Sequence, residues 1–120
     1  MDYQNDAKVL LAQQKLHSYG ITSVQSDDLL SATSCYHDAL TALEQLRDQH
    51  QLTVRIYEQS QFLNLESLQE FIHQGYHTGV GNEYFKIGPL KIIGDGSLGA
   101  RTALLSKPYH DQKETCGMPV

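Results

Sequence analysis

Apolar positions Val9, Leu10, Ala12 and Leu16 recur near helical spacing and predict a helix over residues 3 to 18, with Gly20 as its stop. The β-branched run Ile21-Thr22-Ser23-Val24 follows at once and predicts a short strand, ending in the polar stretch Gln25-Ser26-Asp27-Asp28. From Ser34 to His50 the spacing is helical again, with Ala39, Leu40, Leu43 and Leu46 on one stripe. Leu52 to Tyr57 alternates like a half-buried strand, and Glu58 and Gln59 come after it. Asn64 is placed to cap a third helix whose Leu65, Leu68, Phe71 and Ile72 are expected to face inward. Gly75, Gly79 and Gly81 mark a loop. A third extended region spans Tyr84 to Ile93, interrupted at Gly88-Pro89, so that Leu90 to Ile93 is the expected buried strand.

Helices alternating with strands are crossovers, and crossovers of this length imply parallel strands joined right-handedly. The predicted fold class is therefore α/β, with about three parallel strands and covering helices. Such a sheet has two edges whose backbone groups need a cover or a partner. The pattern thus predicts part of a larger body, or one member of a homo-oligomer.

Composition narrows the function classes. The 120 residues have room for a single core, 40% of them are hydrophobic, and the net charge is −5. An acidic chain without a basic stripe argues against nucleic acid and anionic membranes as partners. No apolar run is long enough to cross a bilayer, and no secretory leader pattern opens the chain. Cys35 and Cys116 could pair, but two cysteines do not make a disulfide scaffold, so a reduced, cytoplasmic setting is expected.

In parallel α/β folds the reactive groups gather where the strands end. Those ends carry Gln25, Ser26, Asp27 and Asp28, then Tyr57, Glu58 and Gln59, then Lys91, Asp95 and Ser97. Polar residues are also what any strand meets at the solvent. Lys91 differs, because Leu90-Lys91-Ile92-Ile93 reads as an apolar strand, and a bare ammonium is costly to bury. Such an amine is paired, neutral or modified; a neutral amine can add carbon dioxide to give a carbamate that bridges two divalent metals. Asp95, four residues on, would face the same side if the strand stayed extended. The plainer alternative is a structural ion pair of Lys91 with Asp95 or Glu58.

Other motifs carry less. Gly94 to Gly99 fits G-x-G-x-x-G after a strand, with Glu114 at about the distance of a ribose-binding acid, but too little helix and no second strand follow. A nucleophile elbow fails because Asp95 holds the first glycine position. Among the six histidines, His73 and His77 are spaced i, i+4 with Gly75 between them, while His17, His37 and His50 fall on helices as surface residues.

The segments Gly20 to Asp28, Val54 to Gln59 and, most specifically, Phe85-Lys86-Ile87-Gly88-Pro89-Leu90-Lys91-Ile92-Ile93-Gly94-Asp95-Gly96-Ser97-Leu98-Gly99-Ala100-Arg101-Thr102-Ala103-Leu104 together resemble one family. It is the amidohydrolase superfamily branch that includes N-substituted formamide deformylase and similar metal-dependent hydrolases. The resemblance implies a (β/α)8 TIM barrel, residues 1–120 forming its strands two to four with their helices. It implies hydrolysis of non-peptide carbon–nitrogen bonds in a small-molecule amide, with a divalent metal, zinc by expectation. It places Lys91 as the carboxylated lysine and metal ligand, Asp95 in the catalytic loop, and Gln25, Asp28, Glu58 and Ser97 in the substrate-binding ends. The family's His-x-His pair, its later histidines and its strand-eight aspartate have no counterpart here. The expectation is therefore an interior slice, without bound metal and inactive alone. The competing expectation is a small stand-alone α/β module that holds an anion or nucleotide on the Gly94–Gly99 loop.

Overall fold

A computed structural model describes residues 3–31 and 36–120. The elements run α1 (Tyr3–Ser18), β1 (Ser23–Ser26), α2 (Asp28–Ser31), α3 (Tyr36–Asp48), β2 (Arg55–Ser60), α4 (Leu65–His73) and β3 (Phe85–Leu90). The three strands form one parallel sheet in the order β1-β2-β3, as the alternation of helices and strands predicts. The expected start of the second helix at Ser34, and Cys35, lie outside the described residues. Cys116 is a free thiol.

Both early strands begin later than their β-branched runs suggest, and the helix ends explain why. Gly20, at φ +73°, turns the chain so that its own N–H donates to His17 O (2.9 Å) and that of Ile21 to Leu16 O (3.0 Å). This is a Schellman cap, and it consumes Ile21 before the strand can start. His50 does the same for α3 at φ 56°, with the Gln51 N–H on Leu46 O at 2.8 Å. After it, Leu52 and Val54 are spent on the core, so β2 starts at Arg55 and takes Glu58 into the strand. Gly75 and Tyr76 close α4 in the same way.

Helix α4 begins where expected, with Asn64 Oδ1 accepting the Ser67 N–H at 2.9 Å. Its inward face is narrower than predicted. Phe71 is buried, whereas Leu65 and Ile72 are mostly exposed. The core forms between the sheet and α3, from Leu40, Leu43, Leu46, Phe71, Phe85 and Ile87 with Leu29, Tyr36, Ala39 and Leu52 around them.

The third strand corrects the expectation most clearly. Phe85 to Leu90 is the strand and carries the buried Phe85 and Ile87, whereas Leu90, Ile92 and Ile93 are exposed, Ile92 by 80%. Gly88-Pro89 does not divide the strand; it bulges it. Glu58 pairs with Ile87 and Ser60 with Leu90, so two residues of β3 oppose Gln59 alone. Proline is tolerated at such a bulge. The outer edge of β3 is not bare either: Gly79 N–H donates to Ile87 O and Ile87 N–H to Val80 O, both at 2.8 Å.

Beyond Leu90 the chain is irregular but tied to itself. Leu105 N–H reaches Cys116 O, Met118 N–H reaches Thr102 O, and Tyr109 Oη donates to Ala103 O at 2.7 Å. The radius of gyration is 17.2 Å, against about 14 Å for a compact domain of this length. No helix among the described residues is long and apolar enough to cross a membrane.

Candidate functional site

Parallel register sorts the strand residues into two faces, since paired residues point the same way. Ile56 pairs with Phe85 and faces the core. Gln25, Tyr57 and Lys86 form the next row and share the opposite, open face, on which Gln25 and Lys86 are exposed. One step further, Ser26, Glu58 and Ile87 return to the covered face. Asp27 therefore belongs to the open face, at the C-terminal end of β1.

The bulge brings Lys91 to the same place. In an unbroken β3, residue 91 would share the covered face of residues 85 and 87. The extra residue at Gly88-Pro89 reverses that parity, and Lys91, whose N–H donates to Ser60 O at 2.8 Å, emerges on the open face. There its Nζ reaches across the end of β2 and pairs with Asp27 Oδ2. The two side chains are 35% and 36% exposed, so Lys91 is neither deeply buried nor paired with Asp95 or Glu58, as a buried strand would have required. It also lines an open groove of about 530 Å³ whose walls are largely apolar, among them Leu63, Leu65, Leu90 and Ile92.

Glu58 lies on the other side of the sheet and is 0% exposed. Ser26 Oγ donates to its Oε2, and Leu29 N–H donates to its Oε1 at 3.2 Å. Burial pushes this carboxyl above the usual carboxylate range; the Ser26 hydrogen bond opposes the shift, and the nearby Asp28 charge adds to it. Glu58 is thus closed off from any ligand on the open face.

The remaining predicted residues are scattered. Gln25 is exposed on the open face, and Asp28 is exposed at the first position of α2. Asp95 is half-buried in the irregular segment, where Oδ2 accepts the Leu104 N–H at 2.8 Å. Ser97 is exposed, its N–H donating to Thr102 Oγ1 at 2.9 Å. After Gly94–Gly99 comes a run of turns and no helix, so the loop lacks the helix N-terminus a nucleotide phosphate would use. His17 meets Thr53 Oγ1 at 2.9 Å and His37 meets Glu70 at 3.4 Å.

Asp27 is the residue that strand-end reading passed over in favour of Gln25 and Asp28. Alternation could have found it: residues 25 and 27 share one face, and residue 28 does not. Among the described residues, no three His, Cys, Asp or Glu side chains converge as metal ligands would. A carboxylated Lys91 would supply one ligand, so the described residues fit a share of a metal centre and not a whole one.

The sequence model of the amidohydrolase family matches residues 3–120. A candidate amidohydrolase of Bacillus subtilis (strain 168), YtcJ, is 51% identical over 37 residues, which are 31% of this chain and 7% of that protein. An uncharacterized metal-dependent hydrolase from Pyrococcus horikoshii OT3 superposes with a TM-score of 0.73 at 32% identity, covering 97% of this chain and 22% of its own. Another from Pyrococcus furiosus gives 0.73 at 29% identity, with 96% and 22% covered. The expected fold class stands, a partial barrel segment of three parallel strands with their helices. The chain spans about a fifth of the length of these solved structures.

Proposed function

The chain belongs to the amidohydrolase family, and from that premise we propose that it supplies one corner of the reaction centre of a metal-dependent hydrolase acting on non-peptide carbon–nitrogen bonds. The observation that carries this reading is the position of Lys91 on the open face at the C-terminal end of β3, beside Asp27 at that of β1; carbamate formation would first release the amine from that ion pair. Parallel barrels place their chemistry at that end. In the proposed role the Lys91 amine takes up carbon dioxide, losing a proton as the nitrogen–carbon bond forms, and becomes a carboxylate-bearing arm. A divalent metal held by that arm together with ligands from the remainder of a full-length hydrolase would polarise the amide carbonyl and a water. Zinc is the proposed metal.

Gln25, exposed in the row below, and Asp95 and Ser97 beyond β3 are proposed to face substrate or the catalytic loop. Asp28 is the weaker substrate contact of the set because it starts α2 on the far side of Asp27. With a share of the ligands and no more, the 120 residues taken alone are proposed to be inactive. The setting proposed for the whole enzyme is cytoplasmic, and its substrate a small amide.

The test is carbamate formation. The chain is equilibrated with ¹³C-bicarbonate in mildly alkaline buffer, and carbamate carbon is sought by NMR in the wild type and in Lys91→Arg. A signal that disappears in the variant supports the reading. Labelling confined to other lysines, or unchanged in Lys91→Arg, overturns it.

A further inference from the structure

We propose that Glu58 is a positioning residue for the Asp27–Lys91 contact: from the covered face of the sheet, it fixes the turn that presents Asp27 to Lys91 on the open face. The inference rests on the reading of that corner as the chain's share of the reaction centre, but the contact it governs does not require carbamate formation.

The geometry is that of a clamp on the residues flanking one aspartate. Glu58 sits beside Ser26 in the register of β1 and β2. Its carboxyl receives the hydroxyl of Ser26, on one side of Asp27, and the backbone N–H of Leu29, on the other. The Leu29 N–H lies in the first turn of α2 (Asp28–Ser31), where it has no partner within the helix, and Leu29 is buried, so an acceptor is required for it. One side chain thereby ties down the chain on both sides of Asp27. With its flanks tied down on the covered face, Asp27 has only the open face left for its side chain, and there it meets Lys91.

A carboxylate at this depth is a costly way to hold a turn. Serine or asparagine caps helices at less expense. A two-oxygen acceptor reaching from the next strand does what a local cap cannot: it ties the turn after β1 to β2, and so sets the distance from Asp27 to β3, which pairs with the same strand. The neutral isostere keeps that connection. In Glu58→Gln, Oε1 still accepts the Leu29 N–H, and Nε2 donates to Ser26 Oγ once that hydroxyl rotates. Glu58→Ala abolishes every one of these bonds.

Zero-length carbodiimide coupling reads the contact directly, because it forms an amide only between a carboxylate and an amine already touching. The full chain is coupled and digested, and the Asp27–Lys91 linked peptide is quantified by mass spectrometry. The expected result is a high yield in the wild type, retained in Glu58→Gln and reduced at least several-fold in Glu58→Ala. Ser26→Ala, which removes one donor and leaves the Leu29 N–H, should give an intermediate yield, and it serves if Glu58→Ala does not fold. Leu43→Ala hollows the core without touching the clamp and should keep the wild-type yield at conditions where it remains folded. Equal yields in wild type, Glu58→Ala and Ser26→Ala overturn the proposal. So does a loss in Glu58→Gln as large as in Glu58→Ala, or a loss that Leu43→Ala reproduces. A yield that follows Glu58 in a chain whose Lys91 takes up no carbamate would leave the positioning role standing and defeat the functional reading instead.

Discussion

Gln13 of α1 grips the backbone leading into β2: its Oε1 accepts the Thr53 N–H at 2.6 Å and the Val54 N–H at 3.2 Å, while its Nε2 donates to Gln51 O at 3.2 Å. The side chain is 5% exposed, and Val54 is fully buried. This segment has just left the cap of α3 and has not yet joined the sheet, so neither element can satisfy its backbone. A helix lying across it does so instead.

Truncation to alanine would strand at least the Val54 N–H in the interior. Leaving a buried donor without a partner costs about 1–3 kcal/mol. Gln13→Ala is therefore expected to lower stability by about 2 kcal/mol, read as a shift of the urea midpoint with the slope of the transition unchanged. A change within a few tenths would show that water replaces the glutamine.

His50 predicts the opposite sign. It ends α3 at φ 56°, in the left-handed region, where Gly20 and Gly75 perform the same task for α1 and α4. A β-carbon in that conformation costs roughly 1–2 kcal/mol, part of which glycine returns as unfolded-chain entropy. His50→Gly should raise stability by about 1 kcal/mol in the same urea experiment. Destabilisation would mean that the imidazole makes a contact worth more than the strain.

These two positions also show what the sequence displays and what it hides. Helix periods, the glycine stops and the Asn64 cap are local, and reading along the chain finds them. Strand limits were displaced because capping and core packing competed for Ile21, Leu52 and Val54, and β-branched composition does not register that competition. Gly88-Pro89 is visible as an irregularity, but whether it breaks a strand or bulges it depends on β2, a partner some thirty residues earlier. The same non-local fact decides which side of the sheet Lys91 faces. Lys91 itself was legible from the resemblance of its surroundings, and alternation puts Asp27 on the face of Gln25; that the two meet was not legible, because pairing across an intervening strand leaves no spacing signal.

The buried Glu58 gives a pH dependence of defined sign. Its ordinary value is 4.5, and burial raises it in the folded state. The folded chain then holds this proton more tightly than the unfolded chain. The resulting stabilisation is complete below about 4.5 and is lost as pH rises through the folded value, where a charge must be kept in the interior. Asp48 and Asp111, lowered by hydrogen bonds from Arg47 and Arg101, act with the opposite sign at lower pH, and both are exposed. Subtracting the profile of Glu58→Gln from that of the wild type removes them. The difference should decline as pH rises above about 4.5; a flat or rising difference would show that Glu58 titrates alike in both states.

Gly88 joins the bulge to the site. A β-carbon there would lie 2.8 Å from Glu58 O and 3.1 Å from Glu58 C, both backbone atoms of the central strand, which cannot swing aside as a side chain would. The bulge folds β3 back against β2 at this point, and only the absence of a side chain permits the approach. Gly88→Ala must therefore push the two strands apart locally, at a cost of about 1–3 kcal/mol for overpacking. Because the bulge is what turns Lys91 to the open face, the displacement should also loosen its contact with Asp27. The expected outcome is a lower urea midpoint together with a reduced Asp27–Lys91 carbodiimide product, whereas Gly94→Ala, with open space around its α-carbon, should leave both unchanged. A Gly88→Ala chain that keeps the full cross-link while losing stability would separate the bulge from the placement of Lys91, and the parity argument for the open face would fail with it.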